Sequence, residues 1–176
     1  MDSRVESALR GGPLPARELR ERVGVSQPGL SRLLAQARDA VASLGRGRAT
    51  RYALLRTVRD LTPELPVHRI DSEGIATRIG TLVTVHPDQY WYQDLERPAL
   101  SATSASLPWF MTDMRPQGFL GRLFPRTWQE LALPDRVADW TEDQALYAMA
   151  REKPLKLVTT SPFFTPAPGM ASLTVA

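Results

Sequence analysis

Seven consecutive residues, Ser26-Gln27-Pro28-Gly29-Leu30-Ser31-Arg32, combine the side-chain types that read duplex nucleic acid. The Gln27 amide donates and accepts at once, which matches adenine in a major groove, and the Arg32 fork matches guanine or takes a phosphate. Ser26 suits a helix start, where the free N–H groups of the first turn face an anion. Pro28 in that first turn costs nothing, because its missing N–H has no helical partner there. Ser31 falls on the side of Gln27, while Leu30, Leu33 and Leu34 fall on the other. A second cationic group, Arg46, Arg48 and Arg51, surrounds Gly45 and Gly47. With Arg17 and Arg20 it suits phosphate contacts and a salt-dependent affinity. The candidate DNA-binding set is therefore Arg17, Arg20, Ser26, Gln27, Pro28, Ser31, Arg32, Arg46, Arg48 and Arg51.

Other chemistry is thin, and no catalytic residue, metal site or cofactor is expected. The chain has two histidines, His68 and His86, too few for a metal centre without further ligands. With no cysteine, disulfides and thiolate metal sites are excluded, and a reducing cytoplasm fits. Asp139, Glu142 and Asp143 cluster where a helix N-terminus favours acids anyway. Trp91, Trp109, Trp128 and Trp140 suit a core or an interface better than stacking on single strands. Ser104 and Ser106 are phosphorylatable, yet a Ser/Thr-rich loop needs no such role.

The elements that must hold the DNA-reading residues are legible in the periodicity. Val5, Ala8 and Leu9 mark a short helix ended by Gly11-Gly12-Pro13. A second helix opens at Pro15-Ala16-Arg17-Glu18, buries Leu19 and Val23, and stops at Gly24. The third, capped by Ser26, carries the stripe Leu30, Leu33, Leu34, Ala37 and Val41. Val41–Leu44, a tight turn at Gly45–Arg48, and Ala49–Leu54 then alternate as a hairpin. Three helices and a basic-tipped hairpin give the order of a winged helix-turn-helix.

Residues 57–66 read as a connector containing Pro63 and Pro66. A meander follows: Val67–Ile70, a turn at Asp71-Ser72-Glu73-Gly74, Ile75–Val85, a turn at His86-Pro87-Asp88, and Gln89–Gln93. Residues 94–106 read as a loop. Leu107–Arg126 reads as short helical pieces broken at Pro108, Pro116 and Gly118. Thr141 and Gln144 form a capping box for a last helix burying Ala145, Leu146 and Met149. From Leu157 onward there is no charged residue, and Pro162, Pro166 and Pro168 break any element.

Charge divides the chain in the same way. Residues 1–60 hold twelve arginines and no lysine against six acids, a net +6, while residues 61–176 sum to −3, giving the overall +3. A basic first third on a mildly acidic remainder implies two units with different partners. A hydrophobic fraction of 43% with 23% charged residues is that of a globular protein. No apolar run reaches the ~18–20 residues of a membrane-crossing helix, and no secretory signal is read at the N-terminus.

The pattern Ser-Gln-Pro-x-x-Ser-Arg at residues 26–32 resembles recognition helices of bacterial winged regulators such as the MarR and ArsR families. Residues 107–122, Leu-Pro-Trp-Phe-Met-Thr-Asp-Met-Arg-Pro-Gln-Gly-Phe-Leu-Gly-Arg, resemble the Leu-Pro-x-Phe-x-x-x-x-x-Pro-Glu-Gly segment in the N-terminal subdomain of HipA-like kinases. These are serine/threonine kinases of bacterial toxin–antitoxin modules. The preceding meander, with Gly80-Thr81-Leu82, is similar to the start of that subdomain. The match is to the branch with its own helix-turn-helix and covers roughly residues 1–150.

The kinase core has no counterpart here. The only lysines are Lys153 and Lys156, and neither a Gly-rich phosphate loop nor a His-x-Asp arrangement with a following Asn is present. The resemblance implies an α+β chain in four parts. Residues 1–57 are a winged helix-turn-helix, 58–66 a linker, 67–153 a HipA-like N-terminal subdomain and 154–176 a disordered tail. It implies a cytoplasmic regulator or antitoxin-like component that binds specific duplex DNA, pairs with a HipA-like kinase core or with itself as a homodimer, and avoids membranes. On that reading the chain is not an enzyme. The alternative is the truncated front of a HipA-like kinase, and a third reading has the helix-turn-helix serving protein contact alone.

Overall fold

The computed structural model describes residues 1–112, 114–115, 118–151 and 172–173. The chain is α+β and divides into two compact units, Met1–Glu64 with Leu82–Ala105, and Leu65–Thr81 with Ser106–Ala176. Among the described residues no helix is long and apolar enough to cross a membrane.

In the first unit, α1 (Ser3–Leu9) starts at Asp2, whose carboxylate accepts from the Arg4 amide at 2.9 Å, and it buries Val5 and Leu9. The chain turns at Gly12 and enters a two-residue strand, β1 (Leu14–Pro15), which the periodicity did not suggest because two residues carry no alternation. Helix α2 (Ala16–Val23) buries Leu19 and Val23 and ends at Gly24, whose φ of 71° is a left-handed cap that a Cβ would strain. Ser26 caps α3 (Gln27–Gln36), accepting from the Gly29 amide at 3.3 Å. Helix α3 stops before Ala37, so Val41 is not its last apolar residue but the first of β2 (Val41–Leu44). Periodicity records which residues are buried, and Ala37 and Val41 do enter the same core from outside the helix.

Strand β3 (Arg51–Leu54) pairs antiparallel with β2, Leu44 opposite Arg51, and with β1, Leu14 opposite Tyr52, giving the order β1-β3-β2. Proline is tolerated in β1 because β1 is an edge. The hairpin tip is wider than the tight turn expected. Gly45 at φ +81° leads into a single 3-10 turn at Gly47–Ala49, closed by the Thr50 amide on the Gly47 carbonyl at 3.2 Å. One core made of Val5, Leu9, Leu14, Leu19, Val23, Leu30, Ala37, Val41 and Leu54 holds helices and hairpin together. Each of the leucines and valines contributes about 1.5–3 kcal/mol by leaving water.

Beyond β3 the chain does not become a loose connector. Val58 and Leu61 are buried, and β4 (Glu64–Ile70) begins before Pro66 rather than after it. Residues 54–56 run antiparallel to the end of β5 (Ala76–Val85). The Arg56 amide donates to Thr84 and the His86 amide to Leu54, each at 2.9 Å, around a Leu55–Val85 bridge. Strand β6 (Gln89–Asp94) lies between β5 and β7 (Ala102–Ser104), Trp91 opposite Thr103. Strand β7 lies inside the stretch expected to be loop, since three small residues, two of them polar, give no hydrophobic signal.

In the second unit β4 has β5 on one side and β8 (Ser172–Leu173) on the other. The turn between β4 and β5 is tied by Asp71, whose carboxylate accepts from the Glu73 and Ile75 amides, both at 2.9 Å. Three helices follow: α4 (Trp109–Thr112), α5 (Gly118–Thr127) and α6 (Glu142–Arg151). Gly118 opens α5 instead of breaking a helix, glycine being tolerable at a helix end where it costs little. The Thr141–Gln144 capping box is present in both directions, at 2.9 and 3.2 Å, and α6 buries Ala145, Leu146, Ala148 and Met149. Of the motif at 107–122, Asp113, Pro116 and Gln117 lie outside the described residues, as does the expected tail apart from Ser172 and Leu173.

Candidate nucleic-acid interface

The candidate residues sit on the first unit, on α2, on α3 and on the hairpin. Gln27, Pro28, Ser31 and Arg32 are exposed on α3, whereas Leu30 is 1% exposed and Leu33 and Leu34 pack on the core. The helix is thus held by one face and offers the other. Its start is close-packed: a Cβ on Gly29 would lie 3.4 Å from both Ser26 Oγ and the Val25 Cβ. Ser26 itself is exposed, and its hydroxyl oxygen is already the cap acceptor. The Ser31 hydroxyl donates to the Gln27 carbonyl at 3.1 Å, leaving its oxygen lone pairs outward.

The electrostatics separate the arginines into two groups. Arg17 pairs with Glu21 at 3.0 Å and Arg22 with Glu18 at 2.6 Å, one turn apart on α2, so their charges are partly offset. Arg51 is exposed but turned toward the chain, its Nη1 donating to the Pro13 carbonyl at 3.3 Å, and it stands in β3 opposite Leu44 rather than at the tip. Arg20 on α2, Arg32 on α3, and Arg46 and Arg48 at the tip have no carboxylate partner among the described residues. Neither α3 nor residues 45–50 contains an acid. Arg32, Arg46 and Arg48 are exposed and Arg20 is half-buried; exposed, unopposed guanidinium groups keep their field toward an anion. Of the ten candidates, then, Arg20, Arg32, Arg46 and Arg48 have no ion pair among the described residues, Gln27 and Ser31 are exposed on α3, and Arg17 and Arg51 are engaged within the protein.

Other candidate chemistry does not gather. Among the described residues no group of three or more His, Asp and Glu is set to hold a metal ion. Trp140 is buried, its Nε1 donating to the Pro134 carbonyl at 2.8 Å and its ring edge-on to Phe124. Trp109 is 73% exposed. Glu142, read from sequence as part of a helix-start cluster, accepts from the Leu107 amide at 3.0 Å and pairs with Arg115.

Sequence reasoning assigned Trp91 to a core or an interface but not to the base of the hairpin. Its ring packs with Leu44, Ala53, Val83 and Val85, and its Cη2 lies 3.9 Å from where a Cβ on Gly45 would stand. No periodicity links residues so far apart in the chain, so no local signal could have found this contact.

Comparison with known proteins adds the family. Residues 61–154 match the model of the YjjJ-like toxin, middle domain. Toxin YjjJ of Escherichia coli strain K12 is 37% identical over 159 residues, 84% of this chain and 33% of that protein. The chain spans about a third of the length of this curated relative. No solved structure matches significantly. These matches overturn the expectation that the chain is not an enzyme. The family and the relative carry the name of toxins, which points to an active protein rather than to a non-catalytic regulator. These residues align with only a third of that protein, so the lack of kinase residues among them carries no weight.

Proposed function

The chain belongs to the YjjJ-like toxin family, and from that premise we propose that it is the DNA-binding and middle part of a toxin acting as a HipA-like serine/threonine kinase. In this proposal residues 1–57 are a winged helix-turn-helix, and the middle region is the stretch matched at residues 61–154. Helix α3 enters the major groove N-terminus first, with Gln27 and Arg32 on base edges and Ser26, Pro28 and Ser31 beside the backbone. The hairpin is the wing, and Arg46 and Arg48 take phosphates or the flanking minor groove. Arg20, and more weakly Arg17 and Arg51, add charge.

The observation that carries this reading is the acid-free exposed face of α3 together with the unopposed Arg46 and Arg48 on a hairpin that shares its core. One module of this kind reads few base pairs, so a homodimer on a two-fold operator is the expected form. Binding at its own operator would make the toxin a regulator of transcription, in the cytoplasm where that DNA lies. No set of described side chains fits the ATP and metal site a kinase needs. That chemistry is assigned to the part of the family's proteins that these residues do not span, with the middle region as its docking surface.

The test is fluorescence anisotropy of the full chain with labelled duplex DNA between 50 and 200 mM salt. A straight fall of log affinity with log salt is expected, with a slope of about −0.9 per phosphate contacted. Absence of binding at the lowest salt, or an affinity indifferent to salt, rejects the reading.

A further inference from the structure

We propose that Trp91, a residue of the middle region's β6, is a positioning residue for the wing, fixing where Arg46 and Arg48 meet the duplex. The inference rests on the DNA-binding reading above and adds to it a residue outside residues 1–57.

The wing tip has little to hold it. Residues 45–49 are all exposed, and the turn's own hydrogen bonds, from the Ala49 amide to Arg46 and the Thr50 amide to Gly47, do not tie it to anything else. Its base is held from beneath. Leu44 and Ala53, the last residue of β2 and its near neighbour on β3, are 2% and 0% exposed in a cluster with Val83 and Val85 of β5, against which Trp91 packs.

The indole reaches past that cluster to the first residue of the tip. Gly45, at φ +81°, has the Ala49 carbonyl oxygen 3.3 Å and Trp91 Cη2 3.9 Å from the place of a Cβ. The indole edge thus stands beside Gly45, at ordinary contact range of the place a Cβ would take, with the far side of the turn closer still. Strand pairing of residues 54–56 with residues 84–86 keeps β5, and β6 beside it, in register with the hairpin. A rigid ring against the tip's first residue cuts the directions in which the tip can swing. Ordering a charged loop before binding removes an entropic cost that binding would otherwise bear.

The prediction is that Trp91 acts only through the wing arginines. In anisotropy titrations with a mixed-sequence duplex at 50 mM salt, Trp91→Ala is expected to weaken binding about three- to tenfold and to flatten the salt slope by up to about 1. Trp91→Phe, which keeps a ring, is expected to restore most of the affinity. In an Arg46→Ala/Arg48→Ala background, Trp91→Ala is expected to change nothing further, because the groups it positions are gone. Trp91→Leu fills the cluster without reaching Gly45 and gives the same reading if the alanine variant does not fold.

Duplex binding by the wild-type chain with unchanged affinity in Trp91→Leu overturns this proposal and leaves the DNA reading standing. The same loss with and without the wing arginines also overturns it, since Trp91 then acts on the fold at large. Failure of the wild-type chain to bind duplex at all removes both readings together.

Discussion

Glu142 and Arg115 form an ion pair in which the carboxylate serves two masters: one oxygen takes the Arg115 guanidinium and the other accepts from the Leu107 amide at 3.0 Å. The side chains are 33% and 19% exposed, so both charges are largely out of water. The pair joins the start of α6 to the segment that opens the Leu-Pro-Trp-Phe motif. Removing Glu142 leaves a buried amide and a half-buried cation without acceptors.

Glu142→Ala is therefore expected to destabilise the chain by about 2–3 kcal/mol, and Glu142→Gln, which keeps an acceptor for Leu107, by less. Thermal or urea unfolding measures both. Equal losses in the two variants would show that the Leu107 contact adds nothing and that the Arg115 ion pair carries the whole effect.

Gln27→Ala and Arg32→Ala are each expected to cost about 1–3 kcal/mol in binding to a duplex selected from a randomised pool. Each should also relax the base preference at one position of the selected site. Leu30→Ala, by contrast, should lower stability by about 2–5 kcal/mol, since Leu30 is 1% exposed in the core. If Gln27→Ala leaves both affinity and preference untouched, α3 does not read bases through that residue.

Ser26 allows capping to be separated from phosphate contact. Ser26→Ala removes the acceptor for the Gly29 amide and should cost about 1 kcal/mol of stability. Ser26→Asp keeps a cap and favours the helix dipole, yet places a negative charge where a phosphate would come. Retained melting temperature with weakened duplex binding is the expected result for Ser26→Asp. Unweakened binding would remove the first turn of α3 from the interface.

The acid limb of stability has one identified contributor at the N-terminus. The Arg4 side-chain hydrogen bond, seconded by the Arg4 amide, holds the Asp2 carboxyl below its ordinary pKa. A carboxyl whose folded pKa is depressed adds stability that is complete above the ordinary carboxylate range and is lost as pH falls through the lowered value. Asp2→Asn caps without titrating, so its unfolding free energy should lose less on acidification than that of the wild type. Superimposable pH profiles of the two proteins would discard this contribution.

Local signals determined much of the first unit. Gly24 and Ser26 fix the end of α2 and the start of α3 because a left-handed residue and a capping hydroxyl act within one turn of backbone. Leu30, Leu33 and Leu34 fix which face of α3 is buried, and so which face Gln27 and Arg32 present. Likewise Thr141 and Gln144 announce α6. These effects need only neighbours three or four residues away. Sequence could not decide that Arg51 turns to Pro13, that Arg17 meets Glu21 while Arg46 and Arg48 meet no acid among the described residues, or that β1 and β7 exist as strands. Nor could it place Trp91 beneath Gly45. Strand pairing and side-chain contact between distant segments depend on how the chain returns on itself, and that is settled only when the cores close.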